Sequence, residues 1–116
     1  MTTVTIYHNP RCSKSRETLA LLEKKGITPE IRLYLEQPLQ HDELKVILAQ
    51  LKMNPRELIR SSEAAYKEQN LKNPELTDEA LISAMVESPK LVQRPIVVAN
   101  GKASLGRPPE QVLDIL

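Results

Sequence analysis

The only cysteine of this chain, Cys12, is surrounded by basic and hydroxyl-bearing side chains rather than by apolar ones. The largely β-branched run Val4–Tyr7 precedes it, and a helical pattern from about Ser13 follows it, so the thiol is predicted where a strand gives way to a helix. The first turn of a helix has backbone N–H groups without partners and a partial positive charge, and both stabilise a thiolate over a thiol. We therefore predict a nucleophilic Cys12, with a pocket for a small oxyanion at the same N–H groups.

A buried structural thiol is the alternative interpretation, because free cysteine is among the residues that proteins bury most often. The cationic neighbours Arg11, Lys14 and Arg16 argue against it here. One cysteine also excludes an internal disulfide, a Cys-x-x-Cys couple and a zinc site built on several thiolates. The position three residues after Cys12 is Ser15, so any thiol that resolves a disulfide on Cys12 must come from another molecule.

Length and composition indicate a single domain of 116 residues that can bury one core. A net charge of +1 and an aromatic content of 3%, all of it tyrosine, argue against nucleic acid as a partner. No apolar run approaches the length of a membrane span, and no basic, apolar leader precedes the first strand. Because the chain has a single free thiol, we expect a cytoplasmic protein without a membrane partner. Because it has only two histidines, we expect no metal site.

The predicted elements follow the order strand, helix, strand, then helices alone, then a hairpin and a last helix. Strands are predicted over residues 3–7 and 30–35, with a helix between them that ends at Gly26. The middle of the chain, about residues 36–90, is predicted as a helical insertion. Its helices are expected to begin near Asp42, Arg56, Ala64 and Thr77.

A hairpin is predicted to complete the sheet. Val92–Ala99 indicates a strand, Asn100-Gly101 is a strong signal for a two-residue turn, and Lys102–Leu105 indicates the returning strand. A last helix is predicted over Glu110–Leu116. This order matches an α/β, thioredoxin-like layout in a single domain over residues 1–116: a four-stranded mixed sheet flanked by helices, with the helical insertion between the βαβ unit and the C-terminal hairpin and helix.

The chain resembles the glutaredoxin-linked arsenate reductase family over essentially its whole length. The resemblance is carried by His8-Asn9-Pro10-x-Cys12-x-x-Ser15-Arg16, Arg60, Gln93-Arg94-Pro95 and Gly106-Arg107-Pro108. It is closest to a short enterobacterial-type branch of that family. The resemblance implies reduction of arsenate to arsenite in arsenic detoxification. It also implies glutathione as co-substrate, no bound cofactor, and glutaredoxin as the partner that regenerates the thiol.

The resemblance also assigns site residues. It implies that Cys12 is the catalytic nucleophile, that Arg60, Arg94 and Arg107 bind the oxyanion, and that Pro95 is a structural cis-proline. Arginine suits an oxyanion because its planar fork donates two hydrogen bonds to one group. Taken alone, Arg60 could instead be an ordinary cation at a helix end, and Arg107 could belong to an ordinary turn.

Three further residues of the motif are expected to support the thiolate. His8 could act as an imidazolium beside Cys12, or it could hold the loop through a backbone hydrogen bond. Ser15 could donate its hydroxyl to the thiolate or to the first turn of the helix. Arg16 belongs to the family motif, although it could equally be a solvated charge on the helix.

Two other functions stay open from the sequence. One is a thiol reductase or glutathione-linked protein of the same family that acts on another substrate. The other is a non-enzymatic regulator that binds RNA polymerase, against which the serine at position 15 argues because that switch uses a Cys-x-x-Cys pair. A phosphatase of the low-molecular-weight type is excluded, because Thr18 stands where its loop requires arginine. We expect a monomer.

Overall fold

The structure is a computed structural model that describes residues 3–116. The chain divides into two compact units: residues up to Gln37 together with Arg94–Leu116, and Pro38–Gln93. The second unit covers nearly the same residues as the helical insertion expected at about 36–90. The expectation of a single domain over the whole chain stays a prediction.

The first unit contains the sheet. Its elements are β1 (Thr5–Tyr7), α1 (Ser13–Lys24), β2 (Glu30–Arg32), β3 (Ile96–Ala99), β4 (Lys102–Leu105) and a 3₁₀ helix, Pro109–Ile115. The strand order is β2-β1-β3-β4, in which β1 runs parallel to β2 and antiparallel to β3, and β3 and β4 form an antiparallel hairpin. The predicted mixed sheet of four strands is therefore confirmed.

An aliphatic core fixes α1 on this sheet. Leu22 of α1 and Val112 of the C-terminal 3₁₀ helix are fully buried together with Ile6 and Val97, which are paired across β1 and β3. Branched aliphatic side chains pack well on a pleated surface, so the low aromatic content does not prevent a dense core. Because α1 is held in this way, its N-terminus stays at the end of β1, where Cys12 lies.

Some predicted boundaries in the first unit are wrong. The strand predicted over residues 30–35 ends at Arg32, because the backbone N–H groups of Glu36 and Gln37 both donate to the Leu33 carbonyl and fold the chain into a turn. The last helix is a 3₁₀ helix rather than an α-helix, and it begins directly after Pro108. Consecutive prolines at its start remove N–H donors and restrict the backbone.

The second unit is helical. Its elements are α2 (His41–Leu51), α3 (Pro55–Leu58), α4 (Ala64–Glu68), α5 (Asp78–Glu87) and a 3₁₀ helix, Pro89–Leu91. Side-chain caps begin α3 and α5, since Asn54 accepts from the Glu57 N–H and Thr77 accepts from the Ala80 N–H. Val92 pairs with Ile59 in an isolated bridge, so the strand predicted from Val92 is wrong over its first residues.

None of the helices among residues 3–116 is long and apolar enough to cross a membrane.

Candidate active site

Cys12 is the residue that opens helix α1. Its backbone is extended, with φ −94° and ψ 123°, and Ser13 is the first helical residue, as predicted. The Cys12 N–H donates to the Asn9 carbonyl at 3.0 Å, and the Asn9 side chain accepts from the Arg11 N–H at 3.0 Å. The residue is 7% exposed. The thiol therefore lies at the positive end of the helix, in a tight turn that Asn9 organises.

A guanidinium lies beside this thiol. The Nη2 atom of Arg107 is 3.8 Å from the Cys12 Sγ atom. The Nε–H of the same side chain donates to the Arg94 carbonyl at 2.7 Å. Two contacts on one planar group fix its direction, so Arg107 presents its charge to the sulfur from a defined position.

The Arg94 carbonyl belongs to the segment that enters β3. The peptide bond between Arg94 and Pro95 is cis, the isomer that the resemblance implied, and the bond between Arg107 and Pro108 is also cis. The Gly106 N–H donates to the Pro95 carbonyl at 3.0 Å, which continues the β3–β4 pairing up to the loop that carries Arg107. Arg94 and Arg107 are thus neighbours across the open end of the hairpin.

A buried polar pair lies behind the thiol loop. The His8 Nδ1 and Ser15 Oγ atoms are 2.6 Å apart, and the Asn9 N–H donates to the same oxygen at 3.0 Å. Burial, and next the charge of Arg16, lower the pKa of His8 below its ordinary value of 6.5. His8 is therefore neutral near pH 7, which does not favour the imidazolium role considered from the sequence. Among residues 3–116, the Ser15 hydroxyl forms hydrogen bonds with the His8 ring and the Asn9 N–H.

Arg16 closes the same loop from the exposed side. Its Nη1 atom donates to the Pro10 carbonyl at 2.9 Å. Its backbone N–H donates to the Cys12 carbonyl as part of helix α1. Arg16 thus ties the residues before Cys12 to the helix after it.

Arg60 belongs to the second unit, where it follows α3. Its N–H donates to the Leu91 carbonyl at 2.7 Å, next to the bridge between Ile59 and Val92. Its guanidinium forms an ion pair with the Glu63 carboxylate, and the two side chains are 19% and 27% exposed. In this partly buried pair the carboxylate compensates the charge of the arginine.

Comparison with known proteins places this arrangement in a family. A family model described as the ArsC family matches residues 7–115. The chain belongs to the ArsC family.

Similar proteins cover the chain almost end to end. An uncharacterized protein of Escherichia coli, YfgD, is 61% identical over 97% of this chain and 96% of its own length. A protein of Haemophilus influenzae named arsenate reductase is 50% identical over 97% of this chain and 98% of its own. The solved structure of an arsenate reductase from Vibrio cholerae is 57% identical, covers 99% of this chain and 98% of its own, and superposes with a TM-score of 0.97. These similarities confirm the thioredoxin-like α/β fold.

The structure brings together most of the residues that the ArsC resemblance singled out. Within the first unit, Cys12, Arg94 and Arg107 are joined by direct contacts. His8, Ser15 and Arg16 hold the loop that carries the thiol rather than touching its sulfur. No group of three or more His, Cys, Asp or Glu side chains within the described part of this ArsC chain could hold a metal ion.

Two residues that lie near the site, Thr18 and Gly106, were assigned no role in it from the sequence. Thr18 is fully buried on α1, and its hydroxyl donates to the Lys14 carbonyl at 2.8 Å. Gly106 packs against Thr18 so closely that a side chain would have no room. The glycine stands in the family motif, but a contact between positions so far apart in an ArsC sequence leaves no local signal.

Proposed function

We propose that this protein is an arsenate reductase that reduces arsenate to arsenite through Cys12, with glutathione and glutaredoxin as electron donors. The observation that carries the proposal is the Arg107 guanidinium, which lies 3.8 Å from the Cys12 sulfur and is held there by the Arg94 carbonyl. Family membership and full-length similarity to proteins named arsenate reductases support the choice of arsenate.

The first step needs a thiolate and a fixed oxyanion. Arsenate is a tetrahedral anion, and the Cys12 thiolate attacks its arsenic atom. A sulfur–arsenic bond forms, an arsenic–oxygen bond breaks, and the oxygen leaves as water or hydroxide. Holding the anion next to the sulfur converts an encounter between two anions into a reaction within one complex.

The arginines supply the charge that this step requires. Arg107 already contacts the sulfur, so an oxyanion at the thiol also meets its guanidinium. We assign Arg94 to the same anion, because its backbone is tied to Arg107. We assign Arg60 as a third ligand, in line with the family resemblance, and an anion bound there must compete with the Glu63 carboxylate.

The electrons must come from outside the chain. Reduction of arsenic(V) to arsenic(III) consumes two electrons, which two thiols supply as they form one disulfide. The chain has one cysteine, so the second thiol is external. We assign glutathione to this role and glutaredoxin to the reduction of the resulting mixed disulfide. A cytoplasmic location would supply both, and a monomer suffices for the thiol site because Cys12, Arg94 and Arg107 come from one chain.

A coupled assay tests this proposal. NADPH oxidation is followed with glutathione, glutathione reductase and glutaredoxin, with and without arsenate. The wild-type protein should oxidise NADPH only with arsenate, and Cys12→Ser should abolish the signal. The melting temperature of Cys12→Ser serves as the control for folding.

Two outcomes would contradict the proposal. If arsenate causes no oxidation while Cys12 still reacts with alkylating reagents, the thiol site acts on another substrate, as in the thiol-reductase alternative. If Cys12→Ser keeps the arsenate-dependent rate, the chemistry does not use Cys12 and the proposal is wrong.

A further inference from the structure

Gly106 is packed so closely that no other residue fits without movement. A Cβ atom built on Gly106 would overlap the Thr18 Oγ1 atom, and it would lie 2.7 Å from the Pro95 Cγ atom and 3.1 Å from the Thr18 Cγ2 atom. Real Cβ atoms essentially never make contacts under 3.0 Å. The loop after β4 therefore approaches helix α1 as closely as the backbone allows.

The surface that Gly106 contacts is rigid. Thr18 is 0% exposed, and its hydroxyl is bonded to the Lys14 carbonyl one helical turn earlier. Threonine is branched at Cβ and has few rotamers, so it cannot turn away without losing this bond. Pro95 is a buried ring with little freedom. A side chain at position 106 would thus displace the loop rather than its neighbours.

Gly106 is directly followed by Arg107, and Thr18 is on the same helix as Cys12. The packing of Gly106 on Thr18 therefore sets the separation between the helix that carries the thiol and the loop that carries the guanidinium. We infer that Gly106 and Thr18 are a pair of positioning residues that place the Arg107 guanidinium on the Cys12 sulfur. This inference rests on the proposed function, in which Arg107 holds an anion at the thiol.

The test compares how Cys12 reacts with an anionic and a neutral reagent. Iodoacetate and iodoacetamide both alkylate a thiolate: a carbon–sulfur bond forms, the carbon–iodine bond breaks, and iodide leaves. Cys12 is the only cysteine, so labelling of the whole chain reports on this thiol alone. The ratio of the two rate constants cancels the fraction of thiolate and the general exposure, and it keeps the attraction of a nearby cation for the anionic reagent.

Four variants separate positioning from folding. Arg107→Gln should lower the iodoacetate-to-iodoacetamide ratio by up to roughly fivefold, the upper end of the range for an exposed charge pair. Gly106→Ala should lower it to a value between wild type and Arg107→Gln. Thr18→Ala, which removes the contact surface, should also lower it. The double variant Gly106→Ala/Thr18→Ala should have a higher ratio than Gly106→Ala alone, because the new methyl group occupies the space that the threonine left.

Gly101→Ala is the matched control. Gly101 lies in the hairpin turn at a φ of 73° with open space around its Cα, so alanine there costs stability through backbone strain alone. Its ratio should equal that of the wild type. If Gly101→Ala lowers the ratio as Gly106→Ala does, the effect is general destabilisation and the inference is wrong.

The failure of the inference and that of the proposed function are distinguishable. An unchanged ratio in Arg107→Gln would show that this guanidinium does not act on anions at the thiol, which contradicts the proposed function. A lowered ratio in Arg107→Gln with an unchanged ratio in Gly106→Ala would overturn the positioning role alone. If Gly106→Ala does not fold, the ratio of Thr18→Ala tests the positioning role instead. An unchanged ratio in Thr18→Ala would overturn the inference.

Discussion

The Nη2 atom of Arg107 lies 3.8 Å from the Sγ atom of Cys12, although the two residues are 95 positions apart in the chain. The contact depends on two segments that the sheet brings together, the start of α1 and the open end of the β3–β4 hairpin. The Arg94 carbonyl stabilises this contact, because it accepts a hydrogen bond from the Nε–H of Arg107. This relationship is the basis for assigning anion chemistry to the thiol.

Replacing Arg107 should impair turnover more than folding. Arg107→Gln removes the charge next to Cys12, and a lost hydrogen bond to a charged group is worth about 1.5–3 kcal/mol, so kcat/KM for arsenate should fall roughly tenfold to a hundredfold. Arg107 is exposed, so we expect only a small change in the free energy of unfolding. Steady-state kinetics and chemical denaturation of the same preparation measure both quantities.

Arg11 provides the control for Arg107. It is an exposed arginine next to Cys12 in sequence, so Arg11→Gln removes one positive charge from the loop that carries the thiol. If general positive charge near the thiol were sufficient, the two variants would lose activity equally. The structure predicts that Arg11→Gln keeps most of its activity.

Ser15 should matter for the stability of the thiol loop. Ser15→Ala leaves the Asn9 N–H and the His8 Nδ1 atom without their buried partner, which should cost about 1–3 kcal/mol in the free energy of unfolding. Ser13→Ala, at an exposed position of the same helix, should change it by less than about 0.5 kcal/mol. Urea denaturation of the two variants measures the difference, and equal effects would contradict the role of the buried pair.

His8 should make the protein less stable in mild acid. Because burial and Arg16 lower the pKa of His8 in the folded state, only the unfolded chain takes up this proton as the pH falls below 6.5. The free energy of unfolding should therefore fall from pH 6.5 down to the lower, folded-state pKa of His8, and the contribution should be constant above pH 6.5.

A variant isolates this contribution. In His8→Asn the amide can replace Nδ1 as the partner of Ser15, but it does not titrate. The stability of this variant should depend less on pH below 6.5 than that of the wild type, with measurements at pH 8 as the internal reference. An unchanged pH profile would mean that His8 is not responsible.

Arg60 and Glu63 allow anion binding to be separated from the ion pair itself. Arg60→Gln removes both the pair and the proposed ligand, so arsenate kcat/KM should fall by roughly tenfold or more. Glu63→Gln breaks the same pair but keeps the cation, so its kcat/KM should not fall. Equal losses in both variants would assign Arg60 a structural role only. The coupled assay and a denaturation curve for each variant provide the comparison.

Local signals predicted the elements that have strong caps and turns. Helix α5 begins at Asp78 and β4 spans Lys102–Leu105, both as predicted, because the Thr77 cap and an Asn-Gly turn fix these boundaries within a few residues. The alternation of apolar and polar residues over 30–35 predicted a longer β2, but a turn formed by backbone hydrogen bonds ends the strand at Arg32. An alternating pattern gives no information about such hydrogen bonds.

The site was predicted in its residue types and less well in its contacts. Cys12 was singled out by the chemistry of its neighbours, whereas Arg107 was singled out only by the family resemblance. The neutral state of His8 depends on burial, and the contact between Thr18 and Gly106 depends on the packing of α1 on the hairpin loop. Both are properties of the folded chain that no short stretch of sequence specifies.

The measurement that tests the central claim most directly is the intact mass of the protein after incubation with arsenate and glutathione in the absence of glutaredoxin. We predict a covalent adduct that contains glutathione on wild-type Cys12, formed only with arsenate and removed when glutaredoxin is added. Cys12→Ser should show no adduct. Arsenate reduced by the wild-type protein while Cys12 stays unmodified, or an adduct that forms equally well without arsenate, would contradict the account.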